Sequence, residues 1–267
     1  MADKSELLHL PDHGRSSIVL SETLSSLVAR ARKDLASLSR QVSKEVEPSD
    51  ADAQFELGLK YYRADGLPYD KILAEFWFRK AADQDHTRAQ FWLGLLRLVE
   101  ADYVSAVALF RIAAQKDYDR AQYELGLRYF FGEGVGKDEE QAAFWCRKAA
   151  GQGDVTAQAW LGLLYADGRG VPRDFAQSIC WYRKAADQGD LESQQHLGLL
   201  YYEGEQVEHN YPEAYFWLEI HSQRVSRGHT NYAGYRCSAA AEHLTPDQLA
   251  DAQIRVKEWL AAHPPLL

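Results

Sequence analysis

The sequence has few cysteines and no long apolar run, and these two absences limit the classes of protein to which the chain can belong. Its three cysteines, Cys146, Cys180 and Cys237, lie far apart and form no C-x-x-C pair, which argues against a disulfide framework and a cysteine-rich zinc site. No stretch approaches the roughly 20 apolar residues that a membrane span needs. Charged residues also interrupt the amino terminus too often for a signal peptide. These features predict a cytoplasmic protein without stable membrane insertion.

The chain also lacks a net positive charge. Lys and Arg total 30 against 39 Asp and Glu, which gives a formal net charge of -9. Non-specific attraction to nucleic acid is therefore disfavoured. Hydrophobic residues make up 46% of the 267 residues, enough to build a buried core. The composition predicts a folded protein with an acidic surface and no nucleic-acid partner.

Signatures of catalysis and of metal binding are missing as well. The sequence contains no G-x-S-x-G and no H-E-x-x-H, and the histidines from His86 onward include no pair four residues apart. The segment GEGVGKD superficially resembles a phosphate-binding loop, but Asp138 follows Lys137 where such a loop needs Ser or Thr. The sequence therefore predicts no enzymatic activity, no metal and no cofactor.

What the sequence contains in abundance is repetition. The pattern A-Q-x-x-L-G-L recurs at intervals of 36 residues, with one interval of 32, and a second block such as FWFRKAA follows each of the five clear copies. A degenerate sixth copy, HTNYAGY, begins at His229. The clear copies begin at Ala53, Ala89, Ala121, Ala157 and, with serine in place of alanine, Ser193.

Both blocks have the period of an α-helix. In the first block, Ala53, Leu57 and Tyr61 fall on one face at 3.6 residues per turn. A glycine, Gly58 in the first unit, recurs in this block although it costs a helix about 1 kcal/mol relative to alanine. Its recurrence predicts that the missing side chain lets the second helix of each unit approach the first closely.

Turn residues separate the helices. Segments rich in glycine or proline follow the first blocks and end in a residue suited to cap the second helix, at Asp70, Asp138, Asp174 and Asn210. After the second block, Gly153 and Gly189 suit a left-handed C′ position, and Asp154 and Asp190 suit the N-cap of the next helix. Such short helix pairs cannot bury their apolar faces alone, so the units are predicted to stack.

These units closely resemble the Sel-one-like repeat family, a relative of the tetratricopeptide repeats. The resemblance covers residues 53 to about 240 and is carried most fully by AQAWLGLLYADGRGVPRD with CWYRKAADQGD. It implies an all-α fold, a right-handed α-solenoid (superhelix) of helix pairs whose first helices line the concave face. It also implies a scaffold or adaptor that binds other proteins in complex assembly or regulation, as many bacterial members of the family do.

Further segments flank the repeats. We expect residues 1–19 to be a flexible N-terminus, 20–50 an amphipathic helical extension, 51–241 the solenoid and 242–267 a C-terminal capping helix. In the last segment, Thr245 is the expected N-cap, with Pro246 and a capping box through Gln248 behind it. Three roles remain open for the extension: it caps the first unit, contacts a partner or a second copy, or lies on a membrane.

Aromatic residues mark the candidate partner-binding surface. On the first helices, opposite the constant stripe, these positions change from unit to unit, which favours a groove that binds a protein or peptide. The alternative is that several of them pack against the first helix of the adjacent unit. The candidates are Phe55, Tyr62, Phe91, Trp92, Tyr123, Phe130, Phe131, Trp160 and Tyr202.

Other interpretations of the repeats stay open. Basic residues such as Arg79 and Arg183 line up along the second helices and are expected to form a ladder of salt bridges, with Asp83 and Asp187 one turn away, or a track for an anionic partner. Some members of the family are described as handling β-lactams or cell-wall material, but those resemble secreted, cysteine-paired proteins. A self-assembling structural protein would form a homo-oligomer through the N-terminal extension.

Overall fold

The computed structural model describes residues 48–204, 207–225 and 232–264, and within these ranges the chain is entirely helical. The predictions for residues 1–19 and for the extension up to residue 47 lie outside the described residues. The twelve helices of the described ranges are α1 (Ala51–Arg63), α2 (Lys71–Asp83), α3 (Thr87–Val99), α4 (Tyr103–Gln115), α5 (Asp119–Phe131), α6 (Glu139–Gly151), α7 (Val155–Asp167), α8 (Phe175–Asp187), α9 (Leu191–Glu203), α10 (Tyr211–Arg224), α11 (Tyr232–Glu242) and α12 (Pro246–Ala262).

The helices pack in the order of the sequence. The first ten form five pairs, and each helix lies mainly against the one before it and the one after it. At the C-terminal end, α11 and α12 both pack on α10. This serial packing is that of an α-solenoid and confirms the predicted all-α fold class. None of the helices described is both long and apolar enough to cross a membrane.

Side-chain caps fix where the helices begin. As predicted, the N-cap side chains of α2, α6, α8 and α10 accept hydrogen bonds from backbone N–H groups in the first helical turn, at Asp70, Asp138, Asp174 and Asn210. Asp154 and Asp190 cap α7 and α9 in the same way. Thr245 and Gln248 form the predicted capping box at the start of α12. Local sequence therefore sets the helix boundaries in each unit.

The recurring glycine is the contact point between the two helices of a unit. A Cβ atom at Gly58 would lie 2.7 Å from the Phe78 ring, and one at Gly162 would lie 2.7 Å from the Tyr182 ring. Carbon atoms do not approach so closely, so any side chain here would push the second helix away. The predicted close approach is confirmed, and it recurs at Gly94, Gly126 and Gly198.

A buried glutamine joins each of the third, fourth and fifth units to the one before it. In α7, Gln158 Nε2 donates to the backbone oxygen of Ala150, in the last turn of α6, at 3.2 Å. Its Oε1 accepts from Gln188, at the end of α8, at 2.9 Å. Gln122 makes the equivalent bonds one unit earlier, to Ala114 at 3.2 Å and from Gln152 at 2.8 Å. One side chain therefore links three consecutive helices.

The second unit has a shorter turn than the others. Glu100, Ala101 and Asp102 replace the glycine-rich segment between α3 and α4, and Ala101 adopts a left-handed φ of 58°. Asp102 caps α4 by accepting from the Ser105 N–H at 3.2 Å. The Glu100 carboxylate accepts from Lys71 at 3.0 Å. These contacts hold the short turn without glycine.

Ala64 occupies a position that suits glycine better. It is the C-cap of α1 with a φ of 57°, whereas the equivalent residues are Gly132, Gly168 and Gly204. We expect Ala64→Gly to raise the free energy of unfolding by about 0.5–1 kcal/mol, because the left-handed conformation strains alanine. Urea denaturation followed by circular dichroism measures the change. The reciprocal Gly132→Ala should shift stability in the opposite direction, and a loss of stability in Ala64→Gly would contradict the prediction.

Candidate protein-binding face

One stripe of each first helix is left at least partly accessible by the helices that pack on it. We call this surface the first-helix face. Its residues are separated by four and seven positions, which places them on one side of an α-helix, and all are exposed or half-buried. They are Asp52, Glu56 and Arg63 in α1, Arg88, Trp92 and Val99 in α3, Arg120, Glu124 and Phe131 in α5, Thr156, Trp160 and Asp167 in α7, and Glu192, His196 and Glu203 in α9.

Three of the predicted groove residues lie in the core instead. Phe55, Phe91 and Phe130 expose 0%, 4% and 7% of their surface. The Phe55 ring lies 5.6 Å from the ring of Phe78 in its own unit and is covered by the next unit. A partner would not reach these side chains, and the assignment of these positions to an accessible groove is corrected accordingly.

Aromatic side chains form two bridges between adjacent first helices. Tyr62 in α1 lies 5.2 Å from Trp92 in α3, measured between ring centroids. Trp160 in α7 lies 5.1 Å from Phe130 and 6.1 Å from Phe131, both in α5. Trp92 and Trp160 stay half-buried, and Phe131 is 53% exposed. The rings therefore pack against the adjacent first helix and still present apolar surface to solvent.

The two remaining candidates are tyrosines, and only Tyr123 lies beside one of these bridges. Tyr123 is half-buried, and its hydroxyl accepts a hydrogen bond from the Trp160 indole N–H. Burial raises the pKa of Tyr123, with Glu124 adding to the effect. Tyr202 is also half-buried, 6.1 Å from the Tyr211 ring and 5.1 Å below the Arg236 guanidinium. The structure thus gathers Tyr123, Phe131 and Trp160 at one place and puts Tyr202 at the far end of the stack.

Charge is distributed unevenly along the first-helix face. Near its N-terminal end, the Arg88 guanidinium lies 4.5 Å from the Phe55 ring and pairs with Glu56 at 3.5 Å. Arg63 lies 5.8 Å from the Trp92 ring. The C-terminal end carries Asp167, Glu192 and Glu203 instead. The N-terminal end of the face therefore combines arginines, carboxylates and aromatic rings, whereas the C-terminal end is acidic.

Half-buried acidic groups lie where α5 and α7 meet. Burial raises the pKa of Glu124, while Arg128 at 3.8 Å opposes the shift. Burial likewise raises the pKa of Asp154, the N-cap of α7, and raises the pKa of Cys146 to about 12. Cys146 is therefore a protonated core thiol at neutral pH and a poor nucleophile. Over the ranges described, no group of three or more His, Cys, Asp or Glu is placed to hold a metal ion.

The basic residues of the second helices are engaged in contacts between units. Arg147 donates to the Tyr165 hydroxyl at 3.0 Å, and Arg111 and Arg183 donate to Tyr129 and Tyr201 in the same way. Ion pairs also form, but the carboxylates are Glu75, for Arg79, and Glu213, for Arg183, rather than the predicted Asp83 and Asp187. The tyrosine partners of these arginines were not among the contacts predicted from the sequence. Their signal is the fixed separation of 18 residues between arginine and tyrosine.

The repeats match a known family at five consecutive places. The model of the Sel1 repeat matches residues 51–86, 87–118, 119–154, 155–190 and 191–220. Each matched range begins at the start of a first helix, and the first four include the whole second helix that pairs with it, whereas the fifth ends within α10. The match therefore follows the structural units.

Solved structures include similar proteins. The chain is 34% identical to a Sel1 repeat protein from Oxalobacter formigenes, with a TM-score of 0.58, over 66% of this chain and 72% of that one. It is 29% identical to c5321, a protective antigen present in uropathogenic Escherichia coli strains displaying an SLR fold, with a TM-score of 0.48, over 79% of this chain and 53% of that one. No curated protein matches the chain significantly. With five repeats matched over more than half of its length, the chain belongs to the Sel1 repeat family.

Proposed function

We propose that this protein is a non-catalytic scaffold that binds a partner protein or peptide on the first-helix face. Sel1 repeat proteins generally act in protein–protein interaction. The observation that carries the proposal is the large aromatic surface that this face leaves exposed in the middle of the stack. Trp160 and Phe131 form its centre, and Tyr123 borders it.

The contrast between packing positions and exposed positions supports this choice of surface. Two positions that contact neighbouring helices, the recurring glycine and the buried glutamine, keep their residue type in all five units. The middle position of the first-helix face instead changes in type from unit to unit: Glu56, Trp92, Glu124, Trp160 and His196. Helix packing does not require tryptophan there, since other units have charged residues. A half-exposed tryptophan at such a position is typical of an interface anchor.

The polar surroundings of Trp160 fit a binding site for a protein segment. On α5, Tyr123 is hydrogen-bonded to the Trp160 side chain and Glu124 follows it in the sequence, and Thr156 lies one turn from Trp160 on α7. An apolar centre with a polar rim is the usual anatomy of a protein interface, in which the rim supplies hydrogen bonds and the centre most of the affinity. A partner segment with an apolar side chain over Phe131 and Trp160 would use both.

Affinity capture with matched variants tests the proposal. We expect Phe131→Ala and Trp160→Ala, each introduced alone, to weaken capture of one specific partner from extracts of the native host at least tenfold, about 1.4 kcal/mol. Phe144→Ala is the control, because Phe144 is a similarly exposed aromatic residue on the second helix α6. Unchanged capture by both first-helix variants, or an equal loss in the control, would contradict the proposed site.

A further inference from the structure

The first helix of the stack is exposed where all later first helices are covered. Ala53 and Leu57 in α1 are half-exposed, whereas their equivalents one unit later, Ala89 and Leu93, are buried. The later helices are covered because the second helix of the preceding unit packs on them. Within the described residues, α1 has no such preceding helix.

The same opening continues at the turn after α1. In later units, the backbone of the preceding second helix lies directly against a turn glycine: Tyr103 at Gly134, and Glu139 at Gly170. Gly66 is the equivalent residue of the first unit and has the same left-handed conformation, with a φ of 72°. No described atom beyond its neighbours lies within 4 Å of a Cβ atom placed there. The open surface therefore runs from the start of α1 to the turn and has the length of one helix.

At Pro48, the polypeptide chain lies next to one end of this open surface. Gln54 Nε2 donates to the backbone oxygen of Pro48 at 2.9 Å. In the third, fourth and fifth units, the equivalent glutamine donates to the last turn of the preceding second helix, as Gln122 does to Ala114. Six residues before its glutamine rather than eight, the Pro48 carbonyl therefore accepts the bond that the end of a preceding helix accepts in those units, and the chain meets the open surface at this point.

The residues just before this point carry the apolar spacing of a second helix. In the fourth unit, Ala142, Cys146 and Ala150 of the preceding helix are buried, 12, 8 and 4 residues before the N-cap Asp154. The same distances before the N-cap Asp50 give apolar residues at all three positions, namely Leu38, Val42 and Val46. Residues 35–47 also have the length of the second helices, which span 13 residues in the first four units.

We propose that residues 35–47 of the same chain occupy the open face of α1 in the manner of a second helix. Leu38, Val42 and Val46 cover Ala53 and Leu57 and close the N-terminal end of the stack. The segment is tethered directly at Pro48, so its effective concentration at the face is on the order of millimolar, well above that of a second copy in dilute solution. The occupant is therefore the chain's own segment.

Thiol labelling of the full-length chain tests this proposal. In a Cys180→Ser background, which removes the exposed native thiol, Leu57→Cys should react with a maleimide at least tenfold more slowly than Lys60→Cys, an exposed position on the same helix. Adding Leu38→Asp with Val42→Asp should raise the Leu57→Cys rate toward that of Lys60→Cys. Ser37→Asp with Gln41→Asp, which adds the same charges on another side of the segment, should leave the labelling slow.

Two results would overturn the proposal. The first is labelling of Leu57→Cys as fast as Lys60→Cys in the chain without further changes. The second is protection that disappears on dilution, because a second copy would then be the covering partner. Amide exchange in α7 serves as the folding control. Should Leu38→Asp with Val42→Asp also unfold α7, slow and concentration-independent labelling of Leu57→Cys alone would still support the proposal.

Discussion

Gly162→Val is expected to lower the free energy of unfolding by about 3 kcal/mol, because it forces a branched side chain into a closed contact. The first added carbon would already lie 2.7 Å from the Tyr182 ring. Tyr182 is itself buried, packed with Leu197 of the next unit, so the ring cannot move without disturbing the junction between units. The small gain in helix propensity from replacing glycine does not offset this overpacking.

The matched control is Gly151→Val, in the last turn of α6. A Cβ atom at Gly151 has no neighbouring atom within 4 Å, so the same substitution should change stability by only about 0.5 kcal/mol. Urea denaturation followed by far-ultraviolet circular dichroism measures both variants. Equal stability of the two would show that the glycine contact does not set the spacing between paired helices.

Gln158→Leu is the second substitution with a large expected effect, a loss of about 1–3 kcal/mol. The leucine keeps the approximate volume but removes the donor to Ala150 and the acceptor for Gln188. The Ala150 carbonyl then keeps its backbone hydrogen bond from the Gly153 N–H at 3.1 Å. Because a hydrogen bond of this kind contributes about 0.5–1.5 kcal/mol, the loss of both bonds accounts for the expected effect.

A double-mutant cycle separates this bond from general disruption. Gln158→Leu and Gln188→Leu, alone and together, should show a coupling free energy of about 0.5–1.5 kcal/mol. Gln177→Leu, at an exposed position on α8, is the control and should leave stability nearly unchanged. Purely additive losses would indicate that the two glutamines do not act together.

Local features of the fold could be predicted from the sequence. The caps at Asp138 and Asp174 and the turn at Gly153 depend only on a few neighbouring residues. The packing role of Gly58 and its equivalents was also predictable, because a residue unfavourable in a helix recurs in register only for a reason outside that helix. In both cases the information lies within one unit.

Features that depend on stacking could not be predicted in the same way. A first helix lies between its own second helix and that of the preceding unit, so it has two buried sides rather than one. The following unit also covers part of each first helix: Phe55, Phe91 and Phe130 pack against its residues, and a single apolar stripe does not predict that burial. The role of Gln158 could not be predicted from the sequence either, because its hydrogen-bond partners become neighbours only when units stack.

Binding on the first-helix face is tested most directly by site-specific photo-crosslinking in cells of the native host. A photoreactive residue at Thr156, which is exposed beside Trp160, is compared with one at Ala176, which is exposed on α8. We expect one protein to be crosslinked from position 156 and not from position 176, and Trp160→Ala to abolish that product. Crosslinking of the same protein from position 176 alone, or equally from both positions, would contradict the proposed binding face.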